Sequence, residues 1–343
     1  MSARRLVDFL VMMVVLFISC LLVSCSGAST DYKYTPTGLG HWEAVNNGLT
    51  DFLYVDSIAV SGSNVFIGAS KGNDLGGAIF LSTDNGANWT QLGSGLPYEP
   101  VQLLAVSGSN LYAVLFPSGV FLSTDSGASW AVVDLGLPTD VQNGNATIMV
   151  NDLASSGNTM FAATYSGVFR STDNGANWTA DNAGLTNLLS ACCFAVSGGN
   201  IFVGTSNDNG GGLFESSIDG SSWTKVASTN TGITSLAAIG SNIFAKVDNG
   251  GLYRSTNDGL TWNNAKSSGL PANCDGASPL VASGNSIFGA ACDEGVYLST
   301  DNGTSWAAAN SGLLNPSVSA LAVSGGNIFT GTFGGGIFVS PLP

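Results

Sequence analysis

The chain contains one histidine, His41, placed where a polar N-terminal stretch meets the first strand-like run. Ser-His-Asp triads, Cys-His pairs and His-ligated zinc centres each need an imidazole to move a proton or hold the metal, so these chemistries are effectively excluded. Acid-base work would fall to carboxylates. The Asp-Asn-Gly and Asp-Glu-Gly settings in which several of these stand read as hairpin turns, and nothing pairs two specific acids at the separation a glycosidase uses. Asn207-Asp208-Asn209 is oxygen-rich but lacks the spacing of an EF-hand loop. Calcium is the one cofactor left open, and no metal site is assigned.

The cysteines say more. Cys192 and Cys193 are neighbours on a strand, where successive side chains point to opposite faces, so they read as small buried apolar residues rather than one metal site. Cys274 and Cys292 fall in two loops on one face. A disulfide between them, permitted in an export compartment, would contribute about 3 kcal/mol in the chain-entropy model.

The positions of these residues follow from a repeat. Trp occurs at 42, 89, 130, 178, 223, 262 and 306, at intervals of 39 to 48 residues, the period of a four-stranded propeller blade. After each Trp come a polar-alternating run, Gly-Leu or Gly-Ile, and three short strand-like runs divided by Ser-Gly, Asn-Gly and Asp-Gly turn signals. Aromatics recur on the second run at Phe66, Tyr112, Phe161, Phe202, Phe244, Phe288 and Phe329. They recur on the third at Phe80, Phe121, Phe169, Phe214, Tyr253, Tyr297 and Phe338. Seven equivalent aromatics in each column read as core between stacked blades. The last unit stops at Phe338-Val339-Ser340 without a Trp strand, and Trp42-Glu43-Ala44-Val45 is a Trp strand with nothing before it. The expectation is an all-β, single seven-bladed β-propeller with four-stranded blades over residues 41–343, closed by the N-terminal strand, which hides both free edges.

The stretch from third strand to Trp reads Ser-x-Asp-x-Gly-x-x-Trp at Ser82–Trp89, Ser123–Trp130, Ser171–Trp178 and Ser299–Trp306. This resembles the Asp-box (BNR) repeat of sialidase-like and related β-propellers, including photosystem assembly factors. On that resemblance Asp84, Asp125, Asp173 and Asp301 are structural, each accepting backbone N–H groups of its own hairpin. Two blades depart from the pattern, with Ile218 and Asn257 at the Asp position, and their hairpins are expected to turn on Asp219-Gly220 and Asp258-Gly259 alone. Sialidases of this kind hold a substrate carboxylate with three arginines. Beyond residue 24 only Arg170 and Arg254 remain, at the same place in the repeat, so sialidase activity is not expected. The assembly factors' basic patch is also missing. The xyloglucan-cleaving propellers pair two seven-bladed domains around a cleft, and only one fits here.

Residues 1–24 read as a signal peptide of lipoprotein type, with Arg4 and Arg5 ahead of an apolar run too short for a membrane span. Leu22-Val23-Ser24-Cys25 resembles a bacterial lipobox, which implies lipidation at Cys25, a tether over 25–40, and an outer-membrane or cell-surface address. Without residues 1–24 the chain has 7 basic and 22 acidic side chains, a net −15. That balance disfavours nucleic acid and leaves the lipid as the membrane contact. The reading is a monomeric, non-catalytic binding propeller for a protein or glycan. The alternative is a polysaccharide-active enzyme using paired carboxylates on the face opposite the Asp boxes.

Aligning the first strands on their Ser-Gly turns places Asp56, Gln102, Asn151, Cys192, Thr234, Ser278 and Ser319 at one position, with Asp152 one residue further in blade 3. This column is polar and varies between blades, whereas packing would favour sameness. Asp56, Gln102, Asn151 and Asp152 are therefore the expected ligand contacts, at the mouth of the central channel.

Overall fold

The computed structural model describes residues 40–343 except 73–75, 94, 143–144, 186–189, 207–210, 219–221, 227–231, 248–250, 266–267, 272–278 and 292; within strands, the side chains of 140–142, 145–146, 239 and 264–265 are also left out. Seven four-stranded antiparallel sheets follow one another around a ring, and no helix occurs among the described residues. In blade 1 the strands are Tyr54–Ser61, Asn64–Ser70, Gly77–Ser82 and Thr90–Leu92, from the channel outward. Each first strand packs against the first strands of both neighbouring blades, and that of blade 7 (Val318–Ser324) returns to that of blade 1. The chain is a seven-bladed β-propeller. A two-stranded hairpin, Thr139–Gln142 with Asn145–Ile148, lies between blades 2 and 3 and accounts for the long interval from Trp130 to Trp178.

Packing explains why the second strands read as nearly unbroken apolar runs. Asn200–Thr205 (Asn-Ile-Phe-Val-Gly-Thr) is buried at every position after the first, because both faces of the sheet lie against other blades. The second-strand aromatics are 0–1% exposed in all seven blades. Clusters form between blades: Phe161 of blade 3 packs with Phe194, Val203 and Phe214 of blade 4.

The ring closes as the termini require. Glu43–Ala44 is the outermost strand of blade 7, pairing Glu43 with Val339 and Ala44 with Phe338. Trp42 is 1% exposed and donates its indole N–H to the Ala309 carbonyl at 2.7 Å. The same reach to the preceding blade joins Trp89 to Val45, Trp178 to Val133 and Trp223 to Asp181. Trp130 and Trp262 instead donate to Gly127 and Gly259 of their own hairpins. The Gly after the Trp run has a positional reason in five units, at Gly48, Gly136, Gly184, Gly269 and Gly312. Gly184 adopts φ +88°, and a Cβ there would sit 2.0 Å from the Trp223 carbonyl oxygen of the next blade. Neither the backbone conformation nor the space admits a side chain.

Candidate functional site

In six blades the first strand carries a β-bulge at the same place, between Val55 and Ser57, Val101 and Leu103, Val150 and Asp152, Ala191 and Cys193, Ile233 and Ser235, and Val318 and Ala320. The residues left unpaired are Asp56, Gln102, Asn151, Cys192, Thr234 and Ser319. The polar column is thus the column of bulged residues. Ser278 lies outside the described residues. A bulge re-aims a side chain out of the ladder, and here it turns several toward the next blade. Asn151 Nδ2 donates to the Ala191 carbonyl at 2.7 Å, Cys192 Sγ to the Ile233 carbonyl at 2.8 Å, and Ser319 Oγ to the Val55 carbonyl. Each acceptor directly precedes the next blade's bulged residue. A main-chain carbonyl accepts from an amide, a thiol or a hydroxyl alike, which accounts for part of the variation along the column.

The residue after the bulge adds a second link. Ser57 Oγ accepts the Leu104 N–H of blade 2 at 2.8 Å. Asp152 Oδ2 accepts the Phe194 N–H of blade 4 at 2.7 Å, and Oδ1 accepts its neighbour Leu153's at 2.8 Å. Burial pushes the Asp152 carboxyl up to about 7 even though both N–H groups act to lower it. Burial likewise raises Asp56 to about 6, opposed by a hydrogen bond from the Ser70 side chain. Asp56 and Gln102 are partly buried and Asn151 is exposed. Of the four expected contacts, Asp152 has both carboxylate oxygens engaged by the backbone, a structural duty whatever else it does.

The rim around this end is apolar. Nine large hydrophobic side chains are exposed among the described residues, and five of them belong to it: Tyr54, Tyr98, Tyr165, Leu314 and Phe333. They sit where strands enter the blades or in loops joining second to third strands, which open on one face. Tyr54 and Phe333 meet at the seam of blades 1 and 7, joined by a β-bridge, and the Tyr54 ring lies over Gly72 and Gly334. Sequence reasoning missed this pair. Its only signal was two aromatics outside both repeating columns. Three acids on the same face are tied locally: Glu99 accepts from Ser118, Asp293 from Ser317, and Glu294 from the Tyr297 hydroxyl.

Asparagine side chains hold the loops that carry this rim. Asn182 Oδ1 accepts the Val168 N–H at 2.8 Å and its Nδ2 donates to the Ser166 carbonyl at 3.4 Å, clamping the loop of Tyr165. Asn46 and Asn310 do the same in blades 7 and 6. Each stands four residues after its Trp, a regularity legible in the sequence. Asn182→Ala is expected to cost about 1–2 kcal/mol, read by urea denaturation, and to raise amide exchange at Tyr165–Val168 selectively. Uniform exchange across blade 3 would show that the loop is held by other contacts.

On the opposite face five hairpins share one hydrogen-bond pattern. In blade 2 Ser123 Oγ donates to Asp125 Oδ1 and accepts the Gly127 N–H, both at 2.7 Å, and Asp125 accepts the Ser129 N–H at 2.9 Å. Bonds from the Ser129 side chain and backbone, then from Ser123, hold Asp125 down to about 2. Asp84, Asp173 and Asp301 are lowered by equivalent bonds. Blade 5 was expected to turn on Asp258-Gly259 alone, and it does not: Asn257 Oδ1 accepts from Ser255 and from the Thr261 N–H as Asp does elsewhere. An amide carbonyl serves the turn as well as a carboxylate. Asp258 takes the φ > 0 position that Asn85 holds in blade 1. Asp219 lies outside the described residues, as do Asp208, Cys25, Cys274 and Cys292. Arg254 donates to the Asn302 carbonyl of the blade 6 hairpin.

No protein-family model matches the chain, and no curated protein matches it. Solved propellers do. The GH74 xyloglucanase from Xanthomonas campestris aligns with a TM-score of 0.63 at 16% identity, covering 83% of this chain and 52% of the enzyme. This chain therefore spans about half that enzyme's length. YCF48 bound to D1 peptide aligns with a TM-score of 0.63 at 16% identity over 91% of this chain and 98% of YCF48. Virginiamycin B lyase from Staphylococcus aureus aligns with a TM-score of 0.64 at 16% identity over 87% of this chain and 98% of the lyase. Binding proteins and enzymes thus share this seven-bladed ring, and identity at this level speaks to fold alone.

Proposed function

We propose that this protein is a non-catalytic, extracytoplasmic binding propeller of the Asp-box type, monomeric and anchored by lipid at Cys25, which recognises a glycan or protein partner with the face opposite the Ser-Asp hairpins. The observation that carries the proposal is the concentration of exposed aromatic and aliphatic side chains on that one face. Rings with one bare face suit the apolar faces of sugars or of a peptide. The bulged residues Asp56, Gln102 and Asn151 would add polar contacts at the channel mouth, and a net charge of −15 favours neutral or cationic ligands over anions. The competing glycosidase reading has less support, since Glu99, Asp293 and Glu294 are each tied into their own surroundings.

The test is affinity electrophoresis of the mature chain against neutral polysaccharides and peptidoglycan fragments, with reducing-end release followed in parallel. The expected result is retention by one probe without hydrolysis, weakened about 10-fold or more in the Tyr54→Ala, Phe333→Ala double variant, at about 1 kcal/mol per ring. Undiminished binding by that variant removes this face from consideration, and released reducing ends favour the enzyme. Mass spectrometry of the mature N-terminus should find an acylated Cys25.

A further inference from the structure

The bulge in blade 4 changes what adjacent cysteines can do. On a regular strand Cys192 and Cys193 would face opposite sides. Here Ala191 pairs with Thr205 and Cys193 with Gly204, which leaves Cys192 unpaired and swings its sulfur to 3.1 Å from Cys193 Sγ. The expectation of opposed side chains is overturned by the same bulge that recurs in five other blades. Gly204 makes the room, since a Cβ there would lie 2.7 Å from Cys193 Sγ. Cys192 is partly exposed and Cys193 buried.

We propose that Cys192 and Cys193 are a redox modification site that closes to a vicinal disulfide by exchange with a low-molecular-weight disulfide. Burial pushes the Cys193 thiol up, so the exchange begins at the more accessible Cys192. Its thiolate attacks the external disulfide, forming a mixed disulfide and expelling one thiol. The Cys193 thiolate then attacks Cys192 Sγ and expels the second. Two cysteine thiols lose two protons and two electrons, and the external disulfide is reduced to two thiols. The closed form has no S–H on Cys192, so the bond to the Ile233 carbonyl is lost. That link corresponds to Asn151–Ala191 and Ser319–Val55 at the other seams. Oxidation thus removes one blade-to-blade link at the channel wall.

The tryptic peptide Ser171–Lys225 contains both cysteines and no others, which makes the test direct. The mature full-length protein is incubated with oxidised glutathione, alkylated with iodoacetamide in denaturant without reductant, digested and weighed. The expected peptide is unalkylated and two hydrogens lighter than its reduced form, and a reductant converts it to the doubly alkylated species. A doubly alkylated peptide before reduction, a persistent glutathione adduct, or a cross-link to the peptide carrying Cys274 or Cys292 would each overturn the proposal. Cys192→Ser keeps a donor for the Ile233 carbonyl while removing the exchange, so in that variant Cys193 should remain fully alkylatable. Loss of Cys193 alkylation there would show that it reacts with a different partner.

Discussion

Deleting residues 26–46 is expected to prevent formation of a soluble, cooperatively melting ring. The segment includes Trp42, whose indole and main-chain N–H groups bond the Ala309 and Ser311 carbonyls of blade 6, and the outermost strand of blade 7. It also includes Val45, the acceptor for the Trp89 indole, and Asn46, which accepts the Ile337 N–H. Its loss exposes the unpaired edge of Gly336–Pro341, a template for aggregation. The point variant Trp42→Ala isolates the largest part. Truncating a fully buried Trp costs about 3–5 kcal/mol, which at this chain length lowers Tm by roughly 5–8 °C. Trp130→Ala should cost less, because Trp130 is only partly buried and donates within its own hairpin. Thermal melts of the three variants check this. A deletion variant that melts with the intact protein would show that the N-terminal strand does not hold the ring.

The second large effect is a pH dependence that runs against the usual carboxylate. Asp152 and Asp56 have folded-state values raised to about 7 and about 6. Between pH 4 and 7 the unfolded chain has released these protons while the native state still holds them. The native state binds more protons there, so stability falls as pH rises through this window and levels off above pH 7. The loss is on the order of 4 kcal/mol for Asp152 and 3 kcal/mol for Asp56. The Ser-Asp hairpins slope the other way. Asp125, depressed to about 2, contributes stability that is present above pH 4 and is lost as pH falls through 2. Urea denaturation should therefore find greatest stability near pH 4–5. Asp152→Asn separates this from general relief of negative charge, since the amide cannot ionise. The variant should be less stable than the parent at pH 5, where its NH2 faces a backbone N–H, and equal or more stable at pH 8. Parallel pH profiles for parent and variant would show that Asp152 does not carry the slope.

These residues show how far the chain alone can be read. Seven blades, the aromatic columns and closure by Trp42–Val45 were legible because each blade must satisfy the same geometry. A constraint met seven times writes itself as period and spacing. The hairpins were legible for the same reason, apart from Asn257, where side-chain chemistry allowed a substitute. Tertiary structure decided what depends on a neighbouring blade: that Trp42, Trp89, Trp178 and Trp223 reach across a seam while Trp130 and Trp262 turn back, and that Asp152 clasps blade 4. It also decided that Tyr54 and Phe333 meet across the closure, since residues 279 apart in sequence touch only once the ring is complete. The bulge shows the division most plainly. Strand periodicity assigns Cys192 and Cys193 to opposite faces, and one residue left out of the ladder brings their sulfurs together, because a strand's facing is set by its pairing partner and not by its own sequence.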